Sequence, residues 1–225
     1  MISILMPIYN GIEFIEESVS SILSQTFEKW ELIIGINGHP PNSEIYKIAC
    51  IFQNIYPDKI KVLDFYHLQG KSTTLNAMLV HCTYDYVALL DVDDIWIPNK
   101  LEIQAVYLDK YDVIGTKCVY FGNLNGNIPD IPIGDLSNVN FLSGNPIINS
   151  SVLIRKEYCY WEENGIEDYE LWLRLKSQGR TFFNCSDVLV RHRIHSNSAF
   201  NSTGKQENAI KKILEYYSRL NVKTL

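Results

Sequence analysis

Three carboxylates close an apolar run. Asp91, Asp93 and Asp94 follow Tyr86-Val87-Ala88-Leu89-Leu90 within four residues. The run reads as a strand buried on both faces, which puts the acids at its C-terminal end, where open α/β sheets bind ligands. Extended geometry sends residues i and i+2 to one side, so Asp91 and Asp93 converge on one point. Clustered carboxylates repel unless a cation neutralises them, and a divalent metal with oxygen ligands, Mn²⁺ or Mg²⁺, is the plain candidate. The competing reading is a helix N-terminus, because Ile95-Trp96-Ile97-Pro98 follows with its proline suited to a first helical turn. Capping needs one carboxylate, and three are present.

Other constellations carry weaker signals. Gly70-Lys71-Ser72 closes a Walker A pattern, but the glycine required five residues earlier is Phe65. What remains is a glycine turn into a helix N-terminus, with Lys71 placed either for an anionic ligand or as an exposed loop lysine. Glu167 and Asp168 precede a helical pattern whose apolar face is Leu171, Trp172 and Leu175. They fit a helix cap or a general base held ionised by the helix dipole. His192 and His195, three residues apart at a strand end, suit a metal, a diphosphate or a structural role.

The elements that must position these groups alternate. Strands are expected at 2–6, 30–36, 60–66, 84–90 and 112–119, separated by apolar helical spacing at 14–23, 45–55, 73–80 and 100–108. This order predicts right-handed βαβ units and a mostly parallel sheet. Residues 121–143, rich in Gly, Asn, Pro and Asp, read as a long connection. A strand at 151–154, a helix at 168–177 ended by Gly179 and two short strands at 181–184 and 188–193 follow. The chain closes with a polar loop at 197–205 and an amphipathic helix at 206–220.

Composition bounds the class. The chain has 225 residues, 46% hydrophobic and 20% charged, enough for one sizeable core and one domain. Net charge is -6 and the 20 Lys and Arg residues are scattered, which argues against a nucleic-acid surface. No basic leader and no run near ~18 uninterrupted apolar residues is present, so a cytoplasmic protein, soluble or peripherally membrane-associated, is expected. Five cysteines, odd in number and never in a CxxC pair, read as reduced core thiols.

Met6-Pro7-Ile8-Tyr9-Asn10, then Ser18-Val19-Ser20-Ser21-Ile22-Leu23-Ser24-Gln25-Thr26-Phe27 into Trp30-Glu31-Leu32-Ile33-Ile34, come first. Gly70-Lys71-Ser72 with Leu75-Asn76, then Asp91-Val92-Asp93-Asp94, Glu167-Asp168 and His195 complete the series. In this order they resemble the motifs of family 2 glycosyltransferases over nearly the whole chain. The resemblance implies an α/β GT-A fold: a Rossmann-like, mostly parallel sheet flanked by helices, a short mixed-strand acceptor half and a C-terminal helix. Residues 1–119 would be the nucleotide-sugar half, 120–200 the acceptor side and 201–225 a C-terminal loop and helix. The implied activity is inverting transfer of a hexosyl or N-acetylhexosaminyl unit from a nucleoside-diphosphate donor, usually a UDP-sugar. The acceptor would be a hydroxyl on a glycan, lipid-linked or protein acceptor.

By family position Pro7, Tyr9, Asn37 and Lys71 line the nucleoside pocket and Asp91 faces the ribose or its neighbourhood. Asp93 holds Mn²⁺ or Mg²⁺ on the diphosphate, His195 lies near that metal or the diphosphate, and Asp168 is the catalytic base. The chain departs from the family at Gly35-Ile36-Asn37-Gly38-His39, where two aspartates are common. Asn37 replaces the one that meets the nucleobase, and an amide, being donor and acceptor, fits uracil or another base. A catalytically silent GT-A domain, binding a nucleotide sugar or a protein partner, is the alternative. A nucleotidyltransferase would fit Glu167-Asp168 and His195 poorly. Tyr160 and Trp161 suit sugar stacking or core packing. The apolar side of the last helix, Ile210, Ile213, Leu214 and Tyr217, suits its own domain or a second copy, so oligomerisation stays open.

Overall fold

The computed structural model describes residues 1–196 and 205–222; the loop expected at 197–205 lies outside them except for its last residue. The elements in chain order are β1 (Ile2–Ile8), α1 (Ile15–Leu23), β2 (Trp30–Asn37), α2 (Glu44–Ile55), β3 (Ile60–Phe65), α3 (Lys71–Leu79), β4 (Tyr86–Leu89) and β5 (Ile95–Trp96). They continue with α4 (Lys100–Ala105), β6 (Val113–Gly122), β7 (Gly134–Asp135), β8 (Leu153–Arg155), α5 (Glu167–Ser177), β9 (Phe182–Ile194) and α6 (Lys205–Val222).

Period-2 geometry explains why the early strands are apolar throughout. In β1, Ile2, Ile4, Met6 and Ile8 face a layer shared with α1, α2 and α4, whereas Leu5 faces a second layer shared with α3, α5 and α6. The alternation repeats in β2 and β4, where Ile33, Val87 and Leu89 join the second layer. Extending that parity along each strand, through Gly35 in β2, sends Pro7, Asn37 and Asp91 toward the α3 side. They sit at the C-terminal ends of three adjacent parallel strands, β1, β2 and β4.

The described strands form one sheet in the order β3-β2-β1-β4-β8-β6-β9-β5, with β7 paired to β9. β1, β2, β3 and β4 are parallel neighbours, and β6 runs parallel to β9, while β8, β5 and β7 pair antiparallel. The architecture is therefore the expected α/β one, with a parallel half and a mixed half.

Three local expectations are corrected. The two short strands at 181–184 and 188–193 are one strand, β9, whose register against β6 shifts between Thr116 and Cys118. The exposed pair Ser186-Asp187 interrupts the apolar alternation there and reads as a gap, although it is a bulge. Ile95-Trp96 does not open a helix: it pairs with Arg191 and Val190 as β5, and α4 starts only at Lys100. The connection after residue 121 is shorter than expected, because β6 runs to Gly122 and β7 lies within it. All five cysteines are free thiols, and four of them are buried.

One close approach locks the mixed half. A Cβ on Gly115 of β6 would lie 2.1 Å from Asn184 Oδ1 and 3.2 Å from Ile147 Cδ1. Asn184 cannot move aside, because its amide donates to the carbonyls of Pro132 at 2.7 Å and Pro146 at 2.9 Å. Gly115→Ala is expected to cost about 1–3 kcal/mol by overpacking, read by chemical denaturation. Unchanged stability would contradict this packing.

Candidate active site

Each acid of the 91–94 turn meets a different basic side chain. Lys71, the first residue of α3, donates from Nζ to Asp91 Oδ1 at 2.6 Å, and Asn149 Nδ2 donates to Asp91 Oδ2 at 3.0 Å. Asp94 is fully buried; its Oδ2 pairs with His192 Nδ1 at 2.9 Å and its Oδ1 accepts the Arg193 backbone N–H at 2.8 Å. Asp93 Oδ2 lies 3.0 Å from His195 Nε2. The two histidines therefore serve different acids. None of the three aspartates caps α4, whose N-cap is Asn99, so the capping reading fails.

The turn is held from beneath by α1. Ser18 Oγ lies 2.6 Å from Val92 O and 2.5 Å from Asp94 O, Ser21 Oγ accepts the Trp96 N–H at 3.1 Å, and Gln25 Nε2 donates to Ile97 O at 2.8 Å. Arg193 donates from Nε to Asp93 O at 2.8 Å, and its guanidinium lies 4.3 Å from the rings of both Phe14 and Phe121.

Electrostatics follow from these contacts. Burial would raise the Asp91 carboxyl, but Lys71 and Asn149 outweigh it and hold the group below its ordinary range. Burial likewise works against charge on Lys71, and the carboxylates of Asp91 and Glu167 overcome it and raise the ammonium. Asp93 moves the other way: burial and the neighbouring Asp94 and Asp91 charges raise it, with His195 offsetting only part. Burial of His192 is outweighed by Asp94, which favours the imidazolium.

Two adjoining clefts open over these residues. The first, of about 870 Å³, is lined by Pro7, Tyr9, Asn37, Lys71, Asp91, Asp93 and His195, together with glycines 11, 38 and 70. Asn37 is 3% exposed, and its amide makes no hydrogen bond to a described residue. Tyr9 is 57% exposed and stacks on His39, with ring centroids 5.3 Å apart. Gly70, at φ 91°, turns the chain into α3 and leaves Lys71 at the helix N-terminus.

The second cleft, of about 510 Å³, shares Lys71 and Asp91 with the first and adds Asn145, Asn149, Glu167, Asp168 and His192. Asp168 stands in the first turn of α5, whose N-cap Ile166 makes no side-chain cap bond, so neither acid is a cap. Asn145 Nδ2 donates to Asp168 Oδ2 at 2.9 Å. Burial and the Glu167 charge raise the Asp168 carboxyl, against Lys71, the Tyr169 N–H and Asn145. Ile210 and Leu214 of α6 form the apolar side, and Tyr217 fixes that helix by donating to Glu170 Oε1 at 2.6 Å. The apolar side of α6 is thus packed on its own domain.

The eight residues to which the family resemblance gives a site role, Pro7, Tyr9, Asn37, Lys71, Asp91, Asp93, Asp168 and His195, therefore line one of two adjoining clefts. Trp161 does not: at 1% exposure it is core, with Asn76 bonded to its backbone at 2.8 and 3.0 Å. Asn145 and Asn149 escaped sequence reading, since an irregular loop gives asparagines no period to mark them. Among the described residues no three His, Cys, Asp or Glu side chains form a metal cluster. Asp93 and His195 offer one oxygen and one nitrogen donor, and the unneutralised charge around Asp93 favours a cation. Such a pair fits an ion of the Mn²⁺ or Mg²⁺ kind, which fills its shell with phosphate oxygens and water.

Among the described residues no helix is long and apolar enough to cross a membrane. A family model described as glycosyl transferase family 2 matches residues 3–160. The putative glycosyltransferase EpsE of Bacillus subtilis is 29% identical over 213 residues, covering 88% of this chain and 74% of that protein. The crystal structure of S. aureus TarS 1-349 with UDP-GlcNAc superposes with a TM-score of 0.74 at 16% identity, over 97% of this chain and 66% of that one. The mannosyltransferase PcManGT from Pyrobaculum calidifontis, with GDP-Man and Mn2+, gives 0.69 at 17% identity, over 97% and 69%. At such identities the structures establish the shared fold.

A raised folded-state pKa at Asp168 means that its ionised form opposes folding, an effect absent below the unfolded value and growing as pH rises through the folded one. Asp168→Asn is expected to raise Tm at pH 7 by at most about a few degrees and to lose that gain below about pH 4. A lower Tm at pH 7, or a gain independent of pH, would contradict the charge balance described.

Proposed function

This chain belongs to glycosyltransferase family 2, and on that premise we propose that it moves a sugar from a nucleoside-diphosphate donor in the first cleft to an acceptor hydroxyl in the second. The observation that carries the reading is the shared wall: the Lys71–Asp91 pair belongs to both clefts, with Asp93 and His195 on one side and Asp168 on the other. Reactants in two such clefts meet at that wall, which is the positioning a two-substrate transfer needs.

In the first cleft, Tyr9 and Pro7 offer apolar surface to a nucleoside and Asn37 offers its amide to the base edge. Lys71, at a helix N-terminus, attracts the diphosphate. Asp93 and His195 would hold Mn²⁺ or Mg²⁺, which when bound lends positive charge to the leaving diphosphate. UDP-sugars are the proposed donors. TarS in complex with UDP-GlcNAc and PcManGT in complex with GDP-Man support a nucleotide sugar of either base within this fold.

In the second cleft, Asp168 takes the proton of the acceptor hydroxyl as its oxygen bonds to the anomeric carbon. The bond from that carbon to the diphosphate breaks on the opposite face, so configuration inverts. Burial serves this role by keeping the base's pKa closer to working pH than an exposed aspartate's would be. The proposed acceptor is a hydroxyl on a glycan, lipid-linked or protein acceptor, reached from solution or from a membrane surface.

A thermal-shift panel of UDP, GDP, CDP and dTDP with and without Mn²⁺ tests the donor half. One nucleotide should raise Tm in a Mn²⁺-dependent way, by about 2.7 kcal/mol of stability at a hundredfold excess over Kd. No shift with any of them would remove the donor assignment. Asp168→Asn should abolish transfer, with a loss of at least about 100-fold, while nucleotide affinity stays near the wild-type value. Retained turnover would remove Asp168 as the base.

A further inference from the structure

Two asparagines four residues apart line the second cleft, one bonded to Asp168 and the other to the shared wall. Asn145 donates to Asp168 Oδ2 at 2.9 Å, and Asn149 donates to Asp91 Oδ2 at 3.0 Å. The amide of Asn145 cannot flip without loss, because its Oδ1 accepts the Ile147 N–H at 3.2 Å and so leaves Nδ2 for the carboxylate. The loop is anchored between the two asparagines and just beyond the second. Pro146 O accepts from Asn184 at 2.9 Å, Ile147 is buried, Ser150 Oγ accepts the Asp91 N–H at 3.1 Å, and Ser150 O accepts from Trp96 Nε1 at 2.7 Å. Nothing about holding α5 or β4 in place requires these bonds, since both elements are packed through their own apolar faces.

We propose that loop 145–149 is a rigid spacer that sets the catalytic base against the donor site, Asn145 orienting Asp168 and Asn149 orienting Asp91. The inference rests on the proposed transfer reaction and deepens it by adding two positioning residues. Asn145 occupies Asp168 Oδ2, so the amide fixes which carboxylate edge the base can offer to an acceptor hydroxyl in that cleft. The charged groups facing Asp168 are Glu167 on its own helix and Lys71 from α3, and Asp91 after β4, Tyr169 of α5 and His192 of β9 line the same cleft.

The test compares the wild type with Asn145→Ala, the isosteric Asn145→Asp and Asn149→Ala, each shown to be folded by its Tm. Nucleoside-diphosphate release from UDP-glucose, UDP-N-acetylglucosamine or GDP-mannose is followed across pH, and carbon NMR titration of the Asp168 carboxyl gives a readout that needs no turnover. Asn145→Ala should lower kcat about 10- to 100-fold and move both the acid limb and the carboxyl titration to higher pH. Asn145→Asp, which fills the same space with a carboxylate, should move them further. Nucleoside-diphosphate Kd should stay within about twofold in both, whereas Asn149→Ala should weaken it about tenfold and leave the Asp168 titration in place. Wild-type titration in both Asn145 variants would overturn the proposal, as would equal effects of all three variants on nucleotide affinity. A wild type that binds no nucleotide in the thermal-shift panel would instead sink the donor reading, and this inference with it.

Discussion

Three carboxylates on four consecutive residues, at the end of a strand buried on both faces, are the constraint around which the rest of this protein is arranged. Asp94 is fully buried and Asp91 and Asp93 are only partly exposed, so each draws a counter-charge or hydrogen bonds from elsewhere in the chain. Lys71 comes from α3, and His192, Arg193 and His195 come from the end of β9, about a hundred residues later in sequence. Bringing β9 beside that turn explains the short β5 pairing and the bulge that keeps β9 in step with β6. Buried ion pairs are weak sources of stability, because desolvation offsets most of the attraction. The arrangement makes more sense as a site than as a fastening.

The charges are not equally satisfied, and the difference divides the site by role. Asp94 is fully buried with two partners and can only be structural. Asp91, paired to Lys71 and Asn149, forms the wall between two clefts. Asp93 shares a single histidine and still feels two neighbouring carboxylates, so it is the acid with most to gain from an added cation. Asp168, across the wall, is raised by burial and steadied by Asn145. In the proposed reaction one turn thus supplies a support, a divider and a metal ligand, and α5 supplies the base.

Much of this was legible in the sequence because regular elements carry period. The apolar runs of β1, β2 and β4 marked where the strands end and so put Asp91 at the ligand-binding edge, while Pro7 and Asn37 were placed by family position, and the strand parity of the structure puts all three on one face. Gly70 marked the start of α3 and hence Lys71. Loops carry no such signal. Asn145 and Asn149 lie between a 3₁₀ turn at Phe141–Ser143 and another at Asn149–Ser151, and only their hydrogen bonds reveal them. Ser18, Ser21 and Gln25 were visible as a motif, yet their work as a clamp under the acidic turn depends on tertiary contact. The bulge at Ser186-Asp187 failed for the opposite reason, since an interrupted pattern resembles a loop.

The central claim is that base and leaving group lie on opposite faces of the transferred sugar, one in each cleft. Proton NMR of the first-formed product, taken before mutarotation or in the transferred glycoside, reads this directly from the anomeric coupling. An α-linked nucleotide sugar should give a β product. An α product would mean a retained configuration, and would contradict both the role of Asp168 and the division of the site by Lys71 and Asp91.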